Sequence, residues 1–88
     1  MKTTVKNLES TNGNKVANQF IIYTDNGRIF QSYDSVIVEI KNSEVTLDEY
    51  YWNYSKTTSK YRNIFLGETT KETEAKIKNG TYKLAKLN

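Results

Sequence analysis

The sequence predicts an α+β domain: a mainly antiparallel sheet with two short helices, in the order β-β-β-β-α-α-β. Three observations carry that expectation. Short β-rich runs broken by Asn, Asp, Gly and Ser turns occupy residues 17–54. The apolar spacing then changes to i, i+3, i+4 at Tyr61, Ile64 and Phe65. A helix-capping signature follows at Thr69 to Glu72, and a last β-rich run, "TYKLAKL", comes after it.

Taken in order, residues 1–16 are polar and read as a flexible N-terminal arm. The arm has a short strand around Thr3 to Val5 and a turn over Thr11-Asn12-Gly13-Asn14. A single α+β domain is expected over 17–88. Its first segment, "NQFIIYTDNGRIFQSY", reads as a hairpin with strands near 18–24 and 28–33. Asn26-Gly27 is its turn signal, because both residues tolerate positive φ. Tyr33-Asp34-Ser35 marks the next turn, and "SVIVEIK" the third strand. Strict alternation puts Val36, Val38 and Ile40 on one face, and Ile37 on the other with Glu39 and Lys41. Asn42-Ser43 turns into "EVTLD", with Val45 and Leu47 inward. "YYWNY" either extends that strand or begins a loop. The first helix takes its cap from Thr57 or Thr58 and stops at Gly67. The second runs from the Thr69–Glu72 capping box to Asn79-Gly80, and the last strand follows.

With 88 residues, one domain and one modest core are expected. Seven Tyr, three Phe and Trp52 supply much of the apolar mass, so hydroxyls must stay near water or a partner. The sequence has no His and no Cys. That removes imidazole bases, thiol nucleophiles, disulfides and the commonest metal ligands. No P-loop and no G-x-G-x-x-G is present. Asp25, Asp34, Asp48 and Glu49 sit where turn formers belong. No enzymatic activity, cofactor or metal is therefore expected. No apolar run is long enough to span a membrane, and the lack of cysteine fits a reducing compartment. The expected location is the cytoplasm, with no membrane partner.

Charge is uneven. Residues 1–54 carry five basic and seven acidic side chains, net −2, whereas residues 55–88 carry eight and three, net +5. A basic C-terminal half suggests an anionic partner or a solvated lysine surface. The residues expected to bind are Tyr51, Trp52, Tyr54, Lys56, Lys60, Arg62, Lys76 and Lys78. The lysines and Arg62 would supply electrostatics, with Lys60 and Arg62 reaching outward from the helix. Trp52 or Tyr51 would be the anchor, since Tyr50, Tyr51, Trp52 and Tyr54 are more aromatic rings than one small core can bury. Tyr, Trp and Arg are the types enriched at interaction hot spots. Basic residues interleaved with aromatics also suit phosphates and bases. An exposed edge strand would offer a route to a homodimer.

The block "WNYSKTTSKYRNIFLGE" is similar to one found in a family of short, uncharacterised proteins from phages and mobile elements. Their pattern is W-[ND]-Y-S-x-T-T-x-K-Y, then F-L-G-E. It is matched here by Trp52, Asn53, Tyr54, Ser55, Thr57, Thr58, Lys60, Tyr61, Phe65, Leu66, Gly67 and Glu68. The resemblance implies a phage or mobile-element origin and supplies no activity. Small phage proteins without catalytic groups commonly act by binding. The leading expectation is a modulator or inhibitor of a host or anti-phage defence nucleoprotein, for example of CRISPR type, in the cytoplasm of an infected or prophage-bearing bacterium. The alternatives are a direct DNA- or RNA-binding accessory protein and a structural or assembly component.

Overall fold

A computed structural model describes residues 3–10 and 12–88. Five strands precede the helices: β1 (Thr4–Glu9), β2 (Lys15–Thr24), β3 (Gly27–Ser32), β4 (Ser35–Lys41) and β5 (Glu44–Asp48). Helices α1 (Lys56–Leu66) and α2 (Thr70–Lys78) follow, then β6 (Lys83–Ala85). The six strands form one sheet in sequence order. Every pair is antiparallel except β5–β6, which is parallel because the two helices carry the chain back across the sheet. This is the α+β architecture that the pattern predicts, with one strand more. The segment read as an arm supplies β1, which pairs with β2 and buries Leu8 in the core. Met1, Lys2 and Thr11 lie outside the described residues. Of the turn expected at Thr11 to Asn14, the described part is closed by Ser10 N–H donating to the Asn14 carbonyl at 2.8 Å.

The turns follow local chemistry, with one reassignment. Between β2 and β3 the two turn residues are Asp25 and Asn26, and Gly27 is already the first residue of β3, opposite Thr24. Neither Asn26 nor Gly27 adopts positive φ. Gly27 answers a different need, because a Cβ there would lie 1.9 Å from the Ile40 carbonyl oxygen of the neighbouring strand. Positive φ occurs instead at Tyr33 (56°), and at Asn42 (51°) and Ser43 (68°) together. The Asn42-Ser43 pair has the two left-handed residues that a type I′ hairpin requires between Lys41 and Glu44.

Strict alternation fails in β4. Phe30 pairs with Val38 and Gln31 with Val36, so Ile37 is an extra residue opposite no partner. Such a bulge bends the strand and re-aims its side chains. Ile37 and Val38 are consequently both fully buried, whereas Ile37 was expected beside Glu39 and Lys41.

The core lies between one sheet face and the helices. Phe30 of β3 stacks on Phe65 of α1 with ring centroids 5.7 Å apart. Nearby, the Ser32 and Thr58 hydroxyls meet at 3.2 Å. Cross-strand register places Lys6, Ile21, Phe30, Val38, Leu47 and Leu84 in one row on this face. The adjacent row on the opposite face, away from α1, reads Val5, Ile22, Ile29, Glu39, Thr46 and Lys83. Helix α1 presents Tyr61, Ile64 and Phe65 to the core, as the spacing requires. Its N-cap is Ser55, whose side chain accepts from Thr58 N–H, so neither Thr57 nor Thr58 is the cap. Gly67 at φ 70° ends α1, and Thr69 with Glu72 forms the capping box of α2.

Candidate functional site

The stretch from Glu49 to Tyr54 is a tight turn between β5 and α1, begun by Trp52 N–H donating to the Asp48 carbonyl at 3.1 Å. An aspartate at the end of a strand can bond the amides two and three residues on, mimicking a backbone turn. Asp48 does so: its carboxylate accepts from Tyr50 N–H at 3.0 Å and Tyr51 N–H at 2.8 Å. It also accepts from Leu87 N–H at 2.8 Å, which ties the C-terminal segment to the same anchor. Beyond it, Asn88 grips Val36 of β4, accepting from its N–H at 2.7 Å and donating to its carbonyl at 2.9 Å.

The turn drives the aromatic side chains apart. Tyr50 is 73% exposed and Tyr54 49%, and Tyr51 lies half-buried between them. Tyr51 meets both rings edge-on, with centroids 4.7 Å from Tyr50 and 5.1 Å from Tyr54. Such contacts favour a fixed ring arrangement over free rotation. Trp52 turns the other way and covers the Arg62 guanidinium, 5.2 Å from its ring centroid. An open groove runs beside Tyr50 and Tyr51, lined also by Lys86 and Asn88. A second, beside Tyr54, is lined by Lys56 and Ser59.

Arg62 holds this turn from beneath and is itself fully buried. It was expected to reach outward from the helix; the structure turns it into the interior. One guanidinium nitrogen donates to the Trp52 carbonyl, and to Asn53 Oδ1 and Ser59 Oγ at longer range. The other donates to Asn63 Oδ1 at 3.0 Å and Thr70 Oγ1 at 2.8 Å. A planar five-donor group suits such a polar set better than an ammonium would. Burial lowers the Arg62 pKa, and the Glu68 carboxylate opposes that effect. The guanidinium stays charged at any physiological pH.

The remaining expected site residues are scattered. Lys56 lies exposed beside Tyr54, and Lys60 folds over the Tyr61 ring at 5.3 Å. On α2, Lys76 pairs with Glu68 at 2.7 Å, and Lys78 with Glu74 at 3.4 Å. Both are engaged within the chain. Tyr51, Tyr54 and Lys56 therefore come together, while Trp52 and Arg62 form the support and Lys76 and Lys78 stand apart. Tyr50, Lys86 and the Asp48 anchor belong with the cluster too. Asp48, at the end of β5 and two residues before Tyr50-Tyr51, was the readable signal for that turn.

A family model spans residues 3–80. The chain belongs to DUF8033, a family of unknown function. No curated protein and no solved structure matches it. In this DUF8033 chain the family match takes in β1 through α2, including the tyrosine turn and its Arg62 support. Among the described residues, no helix is long and apolar enough to cross a membrane.

The carboxylate anchors should make this DUF8033 chain sensitive to acid. Burial alone would raise the Asp48 pKa, but bonds from Leu87, Tyr51, Asn88 and Tyr50 outweigh it and hold it below 3.8. Glu68 behaves alike: burial opposes, while Lys76, Thr73 and Tyr82 together bring it below 4.5. Both folded-state values lie below the unfolded ones, so the unfolded chain takes up protons first as pH falls. The stability contributed is complete above the unfolded values and is lost as pH drops through 4.5 and 3.8 toward the folded ones. Urea titrations at pH 7 and pH 3 should show that loss. Asp48→Asn should be weaker at pH 7 by about 1–3 kcal/mol and lose less on acidification. Equal acid sensitivity in the variant would remove Asp48 from the account.

Proposed function

We propose that the chain is a non-enzymatic binding protein that docks its tyrosine turn on a protein partner. The partner is a host or anti-phage defence nucleoprotein, such as a CRISPR-type complex, in the cytoplasm of the bacterium. The observation that supports binding is the outward placement of Tyr50 and Tyr54, held edge-on by the half-buried Tyr51, over two buried charged anchors, Asp48 and Arg62. Tyrosine offers a large contact area with a polar tip and little rotamer entropy to lose. A core has no use for rings turned outward in this way. The flanking Lys56 and Lys86 favour a partner surface with negative charge. Phage or mobile-element origin rests on the Trp52–Glu68 block, and the anti-defence role is the step from that origin.

The test is affinity capture from nuclease-treated host lysate, comparing wild type with Tyr50→Ala/Tyr54→Ala. The two substitutions remove edge-on contacts worth about 0.5–1.5 kcal/mol each and touch none of the fully buried side chains. The expected result is retention of nucleoprotein subunits by the wild type and their loss with the variant. Retention by both, or by neither, would refute the reading.

Direct DNA or RNA binding is favoured by one feature: Tyr54 and Lys56 share an open groove at the start of α1, where a base and a phosphate could be held together. Gel shifts on single-stranded DNA and RNA at low salt would show it, with affinity falling steeply as salt rises. No shift would end that alternative.

A further inference from the structure

The two edges of the sheet differ. β6 is three residues long and flanked by the Asp48 and Asn88 clamps. β1 is six residues long, and its outer side pairs with no strand among the described residues. Val5, its second residue, is 58% exposed. A register shift between Asn7 and Glu9 blunts the far end of β1, and Thr4–Asn7 remains as a regular, open edge, a template for another strand.

Beside β1 the helix-side face is not fully covered. A groove of about 370 Å³ opens there. Leu8, Ile21, Ile64 and Phe65 give it an apolar floor, and Lys6 and Arg28 supply cations. Arg28 lies over the Phe65 ring at 5.3 Å. Neither Lys6 nor Arg28 has an ion-pair partner among the described residues, although Lys76 and Lys78 of α2 and Lys83 of β6 do. Glu9, at the end of β1, also lines the groove without pairing with either.

The geometry points to β1 as a second docking edge, where an extended acidic segment of a partner protein adds as a seventh strand. Strand addition draws affinity from backbone bonds and specificity from pockets for alternate side chains. Side chains two residues apart share a face. The segment therefore presents one apolar side chain to the floor and one carboxylate to Lys6 and Arg28, spaced i and i+2. A second copy of this chain fits worse. Antiparallel pairing of β1 with itself would bring two Lys6–Arg28 pairs toward one another, and like charges across a strand pair repel. Lys6 thus discourages self-association while favouring an acidic guest.

The test is a titration of ¹⁵N-labelled protein with the blocked peptide Thr-Val-Thr-Glu-Thr-Val-Thr, its Lys-for-Glu counterpart, and a form N-methylated at alternate amides. The expected result is a shift of the Thr4–Glu9 amides together with Ile64 and Phe65. The Glu peptide should bind about tenfold tighter than the Lys peptide, and the N-methylated form should not bind. Lys6→Glu/Arg28→Glu should reverse the charge preference; Lys6→Glu alone serves if the double variant does not fold. Tyr50→Ala/Tyr54→Ala should leave binding unchanged, which keeps this edge separate from the tyrosine turn. No shift in β1, equal binding of the Glu and Lys peptides, or concentration-dependent β1 shifts in the free protein would each overturn the proposal. The last would mean that a second copy occupies the edge.

Discussion

Gly27→Ala should destabilise the fold by about 3 kcal/mol or more, which for a domain of this size lowers the melting temperature by upwards of about 12 °C. The added Cβ would lie 1.9 Å from the Ile40 oxygen and 2.8 Å from the Ile40 carbonyl carbon. Both are backbone atoms, so no side-chain rotation relieves the clash. β3 and β4 would have to separate where Gly27 faces Lys41 and Arg28 faces Ile40. Gly67 makes the control. Its φ is 70°, and a methyl group added there would meet nothing within 4 Å. Alanine there costs about 1–2 kcal/mol of conformational strain. Circular dichroism melts of the two variants should separate them widely. Equal losses would mean that close strand approach is not what fixes glycine at position 27.

Arg62→Ala should be comparably damaging, about 3–5 kcal/mol. It removes a fully buried side chain and the guanidinium donor of the Trp52 carbonyl, and leaves Asn53, Asn63 and Thr70 only the bonds from Ser59, Thr70 and Asn63. The Trp52 ring loses the cation it covers. Trp52 fluorescence should therefore shift to the red as the turn loosens, even where the sheet remains folded. Arg62→Lys should recover part of the stability, since an ammonium keeps the charge but cannot fork between the turn and α2. A variant with unchanged fluorescence and unchanged stability would show that Arg62 does not support the turn. Because partner capture is read through Tyr50 and Tyr54, Arg62→Lys should also weaken it, by disordering the rings without removing them.

The repeating features of this fold were legible in the sequence because they depend on near neighbours. Asn42-Ser43, the Thr69–Glu72 capping box, Gly67 and the Tyr61, Ile64, Phe65 stripe all follow from spacing along the chain. What the pattern missed depends on residues distant in sequence. The short strand expected around Thr3 to Val5 runs on to Glu9 and joins the sheet instead of an arm, because β2 offers it an edge. Ile37 turns inward because β3 pairs past it. Gly27 looks like a turn residue, yet its reason lies on β4. Arg62 looked like a surface cation from its charge. Its burial is decided by acceptors from the turn, α1 and the start of α2 that converge only in three dimensions. The excess of aromatic rings at Tyr50 to Tyr54 was visible; which of them the Asp48 turn would expose was not.

The parallel β5–β6 pair has a consequence for the order of assembly. Strands β1 to β5 are joined by short connections, so each antiparallel pairing closes a small loop. β6 can join β5 only after the whole segment from Glu49 to Tyr82 has returned across the sheet, and closing a longer loop costs more chain entropy. The meander can therefore zip up pair by pair, while the last strand docks late. Leu87 and Asn88 then act as a latch, since they bond Asp48 and Val36 only once that return is complete. The Asp48 carboxylate that shapes the tyrosine turn thus acquires its full set of donors in the slow step. The tyrosine turn would mature after the sheet, not with it.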